Sequence, residues 1–193
     1  MTSFHRFVLV LSLLATACAP KSEAKSIPEN AGIVLEGSDG SRHDVFGELV
    51  RHRFTVFVFY SEDCPCMRAH EPRLERVRAG LGVYEDQADV AGGVLGADPE
   101  RDTLEAKRRG YSFPLLTDHD ARLAKLLNAE FATHSIIVDQ HGRVRYSGGI
   151  DSDKNHMRPS ATPYLRHALD DLLAGNEPRT PDREPLGCAL RLR

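Results

Sequence analysis

Thr55-Val-Phe-Val-Phe-Tyr60-Ser-Glu-Asp-Cys64-Pro-Cys66-Met-Arg-Ala-His70-Glu-Pro72 is the stretch that decides how this chain folds. Its first half is a run of β-branched and aromatic residues, which predicts a buried strand. Its second half predicts a helix. Cys64 and Cys66 fall at the junction. A helix start leaves backbone N–H groups unpaired and carries a partial positive charge. Both favour a thiolate over a thiol, so a cysteine placed there has a lowered pKa and gains nucleophilic character. The junction is therefore a candidate redox-active site.

Downstream, Met67, His70, Leu74, Val77 and Leu81 recur at spacings of three and four, one face of a helix. Pro72 inside it predicts a kink near Arg68. Residues 89–97 read as the next strand, and Asp98-Pro99 opens a helix that Gly110 closes. Phe113 to Leu116 is a short extended piece. Thr117 or Asp118 caps a helix bearing Leu123, Leu126 and Leu127. Ser135-Ile-Ile-Val138 predicts a buried strand, and Val144 to Ser147 returns as its hairpin partner. Thr162-Pro163 opens a last helix, with Leu165, Ala168, Leu169 and Leu172 on its apolar face. Strands alternating with helices imply an α/β sandwich with a central mixed β-sheet flanked by helices. The Cys64 junction would lie at the carboxyl end of a central strand, where α/β sites gather.

Upstream, Ile33-Val-Leu35 predicts a strand that returns through His43 to Phe46 after a Gly37-Ser-Asp-Gly40 turn. The first residues differ from the rest. Phe7 to Leu14 is almost wholly apolar, too short to span a bilayer as a helix. Small residues 15–17 then precede Cys18. This is the layout of an export signal, and Leu14-Ala-Thr-Ala-Cys18 resembles a bacterial lipobox, which implies lipidation of Cys18. Simple cleavage after Ala17 is the alternative. Residues 1–18 are thus read as signal and lipobox, and 19–31 as a flexible tether. Residues 32–176 form the folded domain, and 177–193 a polar tail. The mature protein is expected outside the cytoplasm, periplasmic or otherwise extracytoplasmic and membrane-anchored, where disulfides persist.

The composition, 41% apolar and 27% charged, excludes general disorder. A net charge of −3 gives no hint of a nucleic-acid partner, which would call for a basic face. The cysteines are Cys18, Cys64, Cys66 and Cys188. With Cys18 lipidated the remainder is odd, so one thiol stays free or pairs transiently.

A strand, Cys-Pro-Cys and a proline-bearing helix together resemble the thioredoxin-like superfamily. Phe113-Pro-Leu-Leu-Thr-Asp118, Ile136 to Tyr146 and Gly148-Gly-Ile-Asp151 are similar to its redoxin (AhpC/TSA-related) branch. The resemblance implies a thiol–disulfide oxidoreductase with Cys64 as the attacking cysteine, Pro65 in the active-site loop, and Thr133 and His134 in the loop facing it. The sequence departs from the family pattern in three places. Met67 stands where the second cysteine is usual, and that cysteine has moved to Cys66. Asp63 stands where tryptophan often precedes the first cysteine. Ala132-Thr-His134 lacks the usual cis-proline.

Three thiols leave the resolving partner open. Cys66 is nearest in sequence, but an i,i+2 disulfide is tight and easily reduced. Cys188 would have to arrive on the tail. The expected partners are disulfide or dithiol protein substrates, an external redox donor or acceptor, and the membrane through the lipid anchor. No tightly bound cofactor is expected. Two close thiolates also suit Cu(I), with His134 or His70 completing the site, so copper delivery is the alternative from another class. Peroxide reduction is a secondary reading, since Ser61 fits the peroxiredoxin pattern and Phe57 does not. A non-catalytic binding module that keeps the fold is the third. Arg73, Arg76 and Arg78 read as a solvated face.

Overall fold

A computed structural model describes residues 25–61, 64–81, 88–95, 99–111, 113–190 and 192. The signal sequence, Cys18, Glu62, Asp63 and Asp98 lie outside the described residues. Seven strands form one sheet: β1 Val34–Gly37, β2 Arg42–Asp44, β3 Phe54–Phe59, β4 Ala88–Leu95, β5 Leu115–Thr117, β6 Ser135–Asp139 and β7 Val144–Gly148, in the order β2-β1-β5-β4-β3-β6-β7. β3, β4 and β5 run parallel; the remaining pairings are antiparallel. The helices are α1 Val45–Leu49, α2 Pro65–Ala79, α3 Pro99–Arg109, α4 Arg122–Leu127 and α5 Tyr164–Leu173.

β3 is buried along its whole length. Alternation sends its side chains to opposite faces. Val56, Val58 and Tyr60 join a core with α2 and α5, and Phe57 and Phe59 join a second core with α1 and α4. Each fully buried Leu or Phe contributes about 1.5–3 kcal/mol. The central strand thus fixes where its carboxyl end delivers Cys64.

α2 buries Met67, His70, Leu74 and Val77 on the face the spacing predicts, and Cys66 as well. It continues through Pro72, which supplies no N–H to the Arg68 carbonyl. Asp118 does cap α4: its carboxylate accepts the N–H groups of Leu123 and Ala124, at 3.0 and 2.9 Å. Thr162 ends in a different arrangement, its N–H donating to Ser152 Oγ at 2.8 Å, and Pro163 occupies the N-cap position of α5 without a side-chain cap bond.

Three expectations are corrected. The return strand stops at Asp44, because Val45 and Leu49, one helical turn apart, bury together in α1. The segment before residue 32 is docked from Lys25 onward. Ile27 is fully buried, its N–H donates to Gly142 O at 2.7 Å, and Ser26 bridges Arg143. One buried isoleucine in a polar stretch leaves no period to read. The tail also packs rather than swings free. Asp182 bridges Ser147, Ala189 bridges Phe131, and Leu190 N–H donates to Glu130 O at 2.8 Å.

Candidate functional site

The chain leaves β3, turns, and starts α2 with Cys64 at the N-cap position and Pro65 in the first helical position. Proline suits that place, since its missing N–H would be unpaired anyway. Cys64 N–H donates to Ser61 O at 3.0 Å, closing the turn. Its side chain is only 1% exposed.

The tail covers it. Cys64 Sγ lies 2.8 Å from Cys188 Sγ, although the two residues are 124 apart in sequence. Cys66 completes a group in which all three sulfurs lie within 4.8 Å of one another. All three cysteines are free. The sulfur in contact with Cys64 is therefore that of Cys188, and Cys66, the neighbour in sequence, takes the flanking place.

The loop between α4 and β6 holds the tail in position. Ala132 N–H donates to Cys188 O at 2.8 Å. Gly187 allows the approach, because a Cβ there would collide with Ala132 O. Thr133 sits at φ +74°, in the left-handed region, and all peptide bonds of the described residues are trans. Thr133 N–H donates to Phe59 O, tying the loop back to β3 at 2.8 Å. The loop expected to face the cysteines thus carries the tail that does so.

Burial opposes ionisation of Cys64. The hydrogen bond from Cys188 and the backbone N–H groups of Met67, Cys188 and Cys66 outweigh it, and the Cys64 pKa falls below the ordinary thiol value. Burial, then the Cys64 charge, pushes Cys66 up. Its bond to Cys64, then burial, pushes Cys188 up to about 12. Of the three thiols Cys64 gives up its proton most readily, and Cys188 is placed to donate its S–H to the thiolate that results.

Neither histidine belongs to this sulfur group. His134 is 6% exposed and pairs with Ser147 Oγ at 2.9 Å. Burial, followed by the Lys25 charge, holds its pKa down to about 4. His70 is buried and lies 2.7 Å from Cys66 O and 3.2 Å from Asp151 Oδ1. Asp151 also accepts a hydrogen bond from Arg73. Arg73 is thus not part of a solvated face; a buried carboxylate holds it.

Three features of the site were not read from the sequence. Asp151 anchors the centre of α2 through His70, and an aspartate after Gly148-Gly-Ile was a visible signal. Gly187, directly before a cysteine, was the visible signal of a close approach. Tyr60 joins Tyr111 at 3.1 Å, Tyr111 donates to Glu71 at 2.6 Å, and Arg109 pairs with Glu71. No pattern in the sequence pointed to that network.

No family profile and no curated protein matches the chain. Solved structures do. An uncharacterized conserved protein from Geobacillus kaustophilus is 23% identical, covering 88% of this chain and 92% of its own, with a TM-score of 0.76. A hypothetical protein from Sinorhizobium meliloti 1021 is 22% identical, covering 89% of this chain and 99% of its own, with a TM-score of 0.72. A thioredoxin-like protein solved in its oxidized form is 19% identical, covering 80% and 98%, with a TM-score of 0.55. The fold is thioredoxin-like: a mixed sheet flanked by helices.

Proposed function

We propose that this thioredoxin-like scaffold carries a thiol–disulfide oxidoreductase in which Cys64 attacks and Cys188 resolves. The observation that carries the reading is the Cys64–Cys188 sulfur contact of 2.8 Å at the start of α2, with the Cys64 pKa drawn below the ordinary thiol value.

The Cys64 thiolate attacks one sulfur of a substrate disulfide. The substrate S–S bond breaks, and the other sulfur leaves as a thiolate. Forming the mixed disulfide removes the negative charge from Cys64. That charge is what held the Cys188 proton, first through the hydrogen bond and then through repulsion. Cys188 can now give its proton to the leaving thiolate and attack Cys64 Sγ. The remaining substrate sulfur departs, so the substrate gains two electrons and the Cys64–Cys188 pair loses two. An external dithiol resets the pair; run in reverse, the same steps oxidise a dithiol. The resolving thiol is thus silent until the first attack has occurred.

The pattern of residues 1–18 supports export with Cys18 as a lipid anchor, and the partners would then be extracytoplasmic proteins bearing disulfides or dithiols. Mass mapping of disulfides in protein isolated without reductant tests the pairing. A Cys64–Cys188 bond is expected. A Cys64–Cys66 bond overturns the role of Cys188, and a Cys66–Cys188 bond overturns the mechanism.

A second reading rests on the same three sulfurs. A trio within 4.8 Å, two of them buried, suits a soft ion such as Cu(I), with Cys188 taking the place expected for a histidine. Binding would release the protons of Cys66 and Cys188. Stoichiometric Cu(I) uptake lost in Cys188→Ser and kept in His134→Ala would favour it. No uptake by the reduced protein would remove it.

A further inference from the structure

Between the middle of α2, the connection 149–163 and the first turn of α5 lies a cleft of about 660 Å³. That is the size of small-molecule sites. It contains none of the cysteines. Arg73 and Arg76 of its lining lie roughly 10–15 Å along α2 from Cys66, at 1.5 Å per residue.

Its lining is charged one way. Arg73, Arg76, Arg158 and Arg166 face it, against a single carboxylate, Asp151. That carboxylate is already engaged by His70, by Arg73 and by the Asp153 N–H at 2.7 Å. Arg158 and Arg166 reach acids outside the lining, Asp153 and Asp170. Arg76 reaches none among the described residues. Its Nε donates to Pro72 O at 3.1 Å, and its terminal nitrogens are left for another acceptor. Arg166 lies over Gly80, where a Cβ would collide with its Nη1. The apolar part of the lining is made by Val77, Ile150 and Met157.

The wall is built rather than loose. The connection 149–163 has about 15 residues, a length at which structureless loops are uncommon and usually functional. Here buried Asp153 accepts the N–H groups of His156 and Arg158, at 3.2 and 2.7 Å. The Arg158 carbonyl accepts Arg73 Nη2 at 3.0 Å and Ala161 N–H at 3.1 Å. Met157, between these anchors, is held at φ +55°. A bulky side chain in that region is strained unless its surroundings impose it, and such strain gathers at functional sites.

We propose that this cleft binds a small organic anion, its carboxylate gripped by the terminal nitrogens of Arg76 within the positive field of an arginine lining that includes Arg166, and its short aliphatic body lying on Val77, Ile150 and Met157. The guanidinium fork matches a carboxylate with two parallel hydrogen bonds. The apolar floor gives the body a place away from water. This site is independent of the thiol chemistry.

Titration calorimetry of the full chain with hexanoate, inorganic phosphate and hexylamine tests it. Hexanoate is expected to saturate one site per chain. Phosphate should bind at least about tenfold more weakly, since it lacks a body for the floor, and hexylamine should not bind. Arg76→Gln with Arg166→Gln should weaken hexanoate at least about tenfold, and both residues lie at the surface, where folding tolerates the change. Cys64→Ser should bind hexanoate as the natural chain does. Absence of saturable hexanoate binding, equal affinity for phosphate, or undiminished binding by the double variant would each overturn the proposal. Should the double variant fail to fold, Arg76→Gln alone decides, with a several-fold loss expected and an unchanged affinity fatal.

Discussion

On one face of the sheet, Val56, Val58 and Tyr60 pack with α2 and α5; on the other, Phe57 and Phe59 pack with α1 and α4. Both cores come from the same alternating strand. The first takes in Cys64 and Cys66, with Cys188 against its edge, and buried His70 and Asp151 beside it. The second gathers aliphatic and aromatic side chains and no cysteine. The difference teaches where a domain keeps its chemistry. Polar and ionisable groups buried on the α2 face must each be paired, and the pairing orders them. The opposite face buries Asp118, which is paired with N–H groups of α4, but no thiol.

The most damaging change to the reactive face is Cys64→Ser, which should reduce disulfide exchange to the uncatalysed rate while leaving the melting curve nearly unchanged. Residual exchange through Cys66 would show that the face holds a different nucleophile. Cys188→Ala comes next. It removes the S–H donor that, with backbone N–H groups, overcomes burial at Cys64. The Cys64 pKa should rise, and each unit of rise cuts the thiolate tenfold below that pKa. Alkylation rate against pH reads the shift, and mixed disulfides with substrate should accumulate. A midpoint that stays put would mean the helix start alone sets the acidity.

Leu127→Ala tests the other side. Leu127 is fully buried in the aliphatic core, so the truncation should cost about 2–5 kcal/mol in denaturant unfolding. The pH midpoint for alkylating Cys64 should not move. If it does, the two faces are coupled through the sheet and the contrast between them weakens.

Local patterns made one half of this arrangement legible. The run from Thr55 to Tyr60, the three-and-four spacing from Met67 to Leu81, and the Ser135–Val138 strand with its hairpin all state their own structure. They also placed Cys64 at the start of a helix. The arrival of Cys188 was beyond such reading. It depends on backbone bonds from Ala132 and to Glu130, and a backbone bond leaves no mark on side-chain periodicity. Ile27 was hidden likewise, as a single apolar anchor in a polar stretch. His70 and Asp151 meet across 81 residues, and only the packing of α2 on the sheet brings them together.

His134 lies at the boundary of the two faces, beside Phe59 with ring centroids 6.3 Å apart and against Ser147 of β7. Its Nδ1 is buried without a hydrogen-bond partner among the described residues. Burial, then Lys25, lowers its pKa from 6.5 to about 4. Between those values the unfolded chain carries a proton here that the folded chain refuses. Acidification therefore favours unfolding, and stability falls as pH drops from 6.5 toward 4. From pH 6.5 to 4.5 the loss from this group is about 2 kcal/mol. The depressed carboxyls of Asp139 and Asp153 lose their contribution only below the ordinary carboxylate range, so they fall outside this window. The raised Asp118 works in the opposite sense, gaining stability as pH falls. Subtracting the His134→Gln curve from that of the natural chain removes these shared contributions. A difference that steepens through the window marks His134 as the acid-sensitive joint between the faces. A flat difference would place the acid sensitivity in another group.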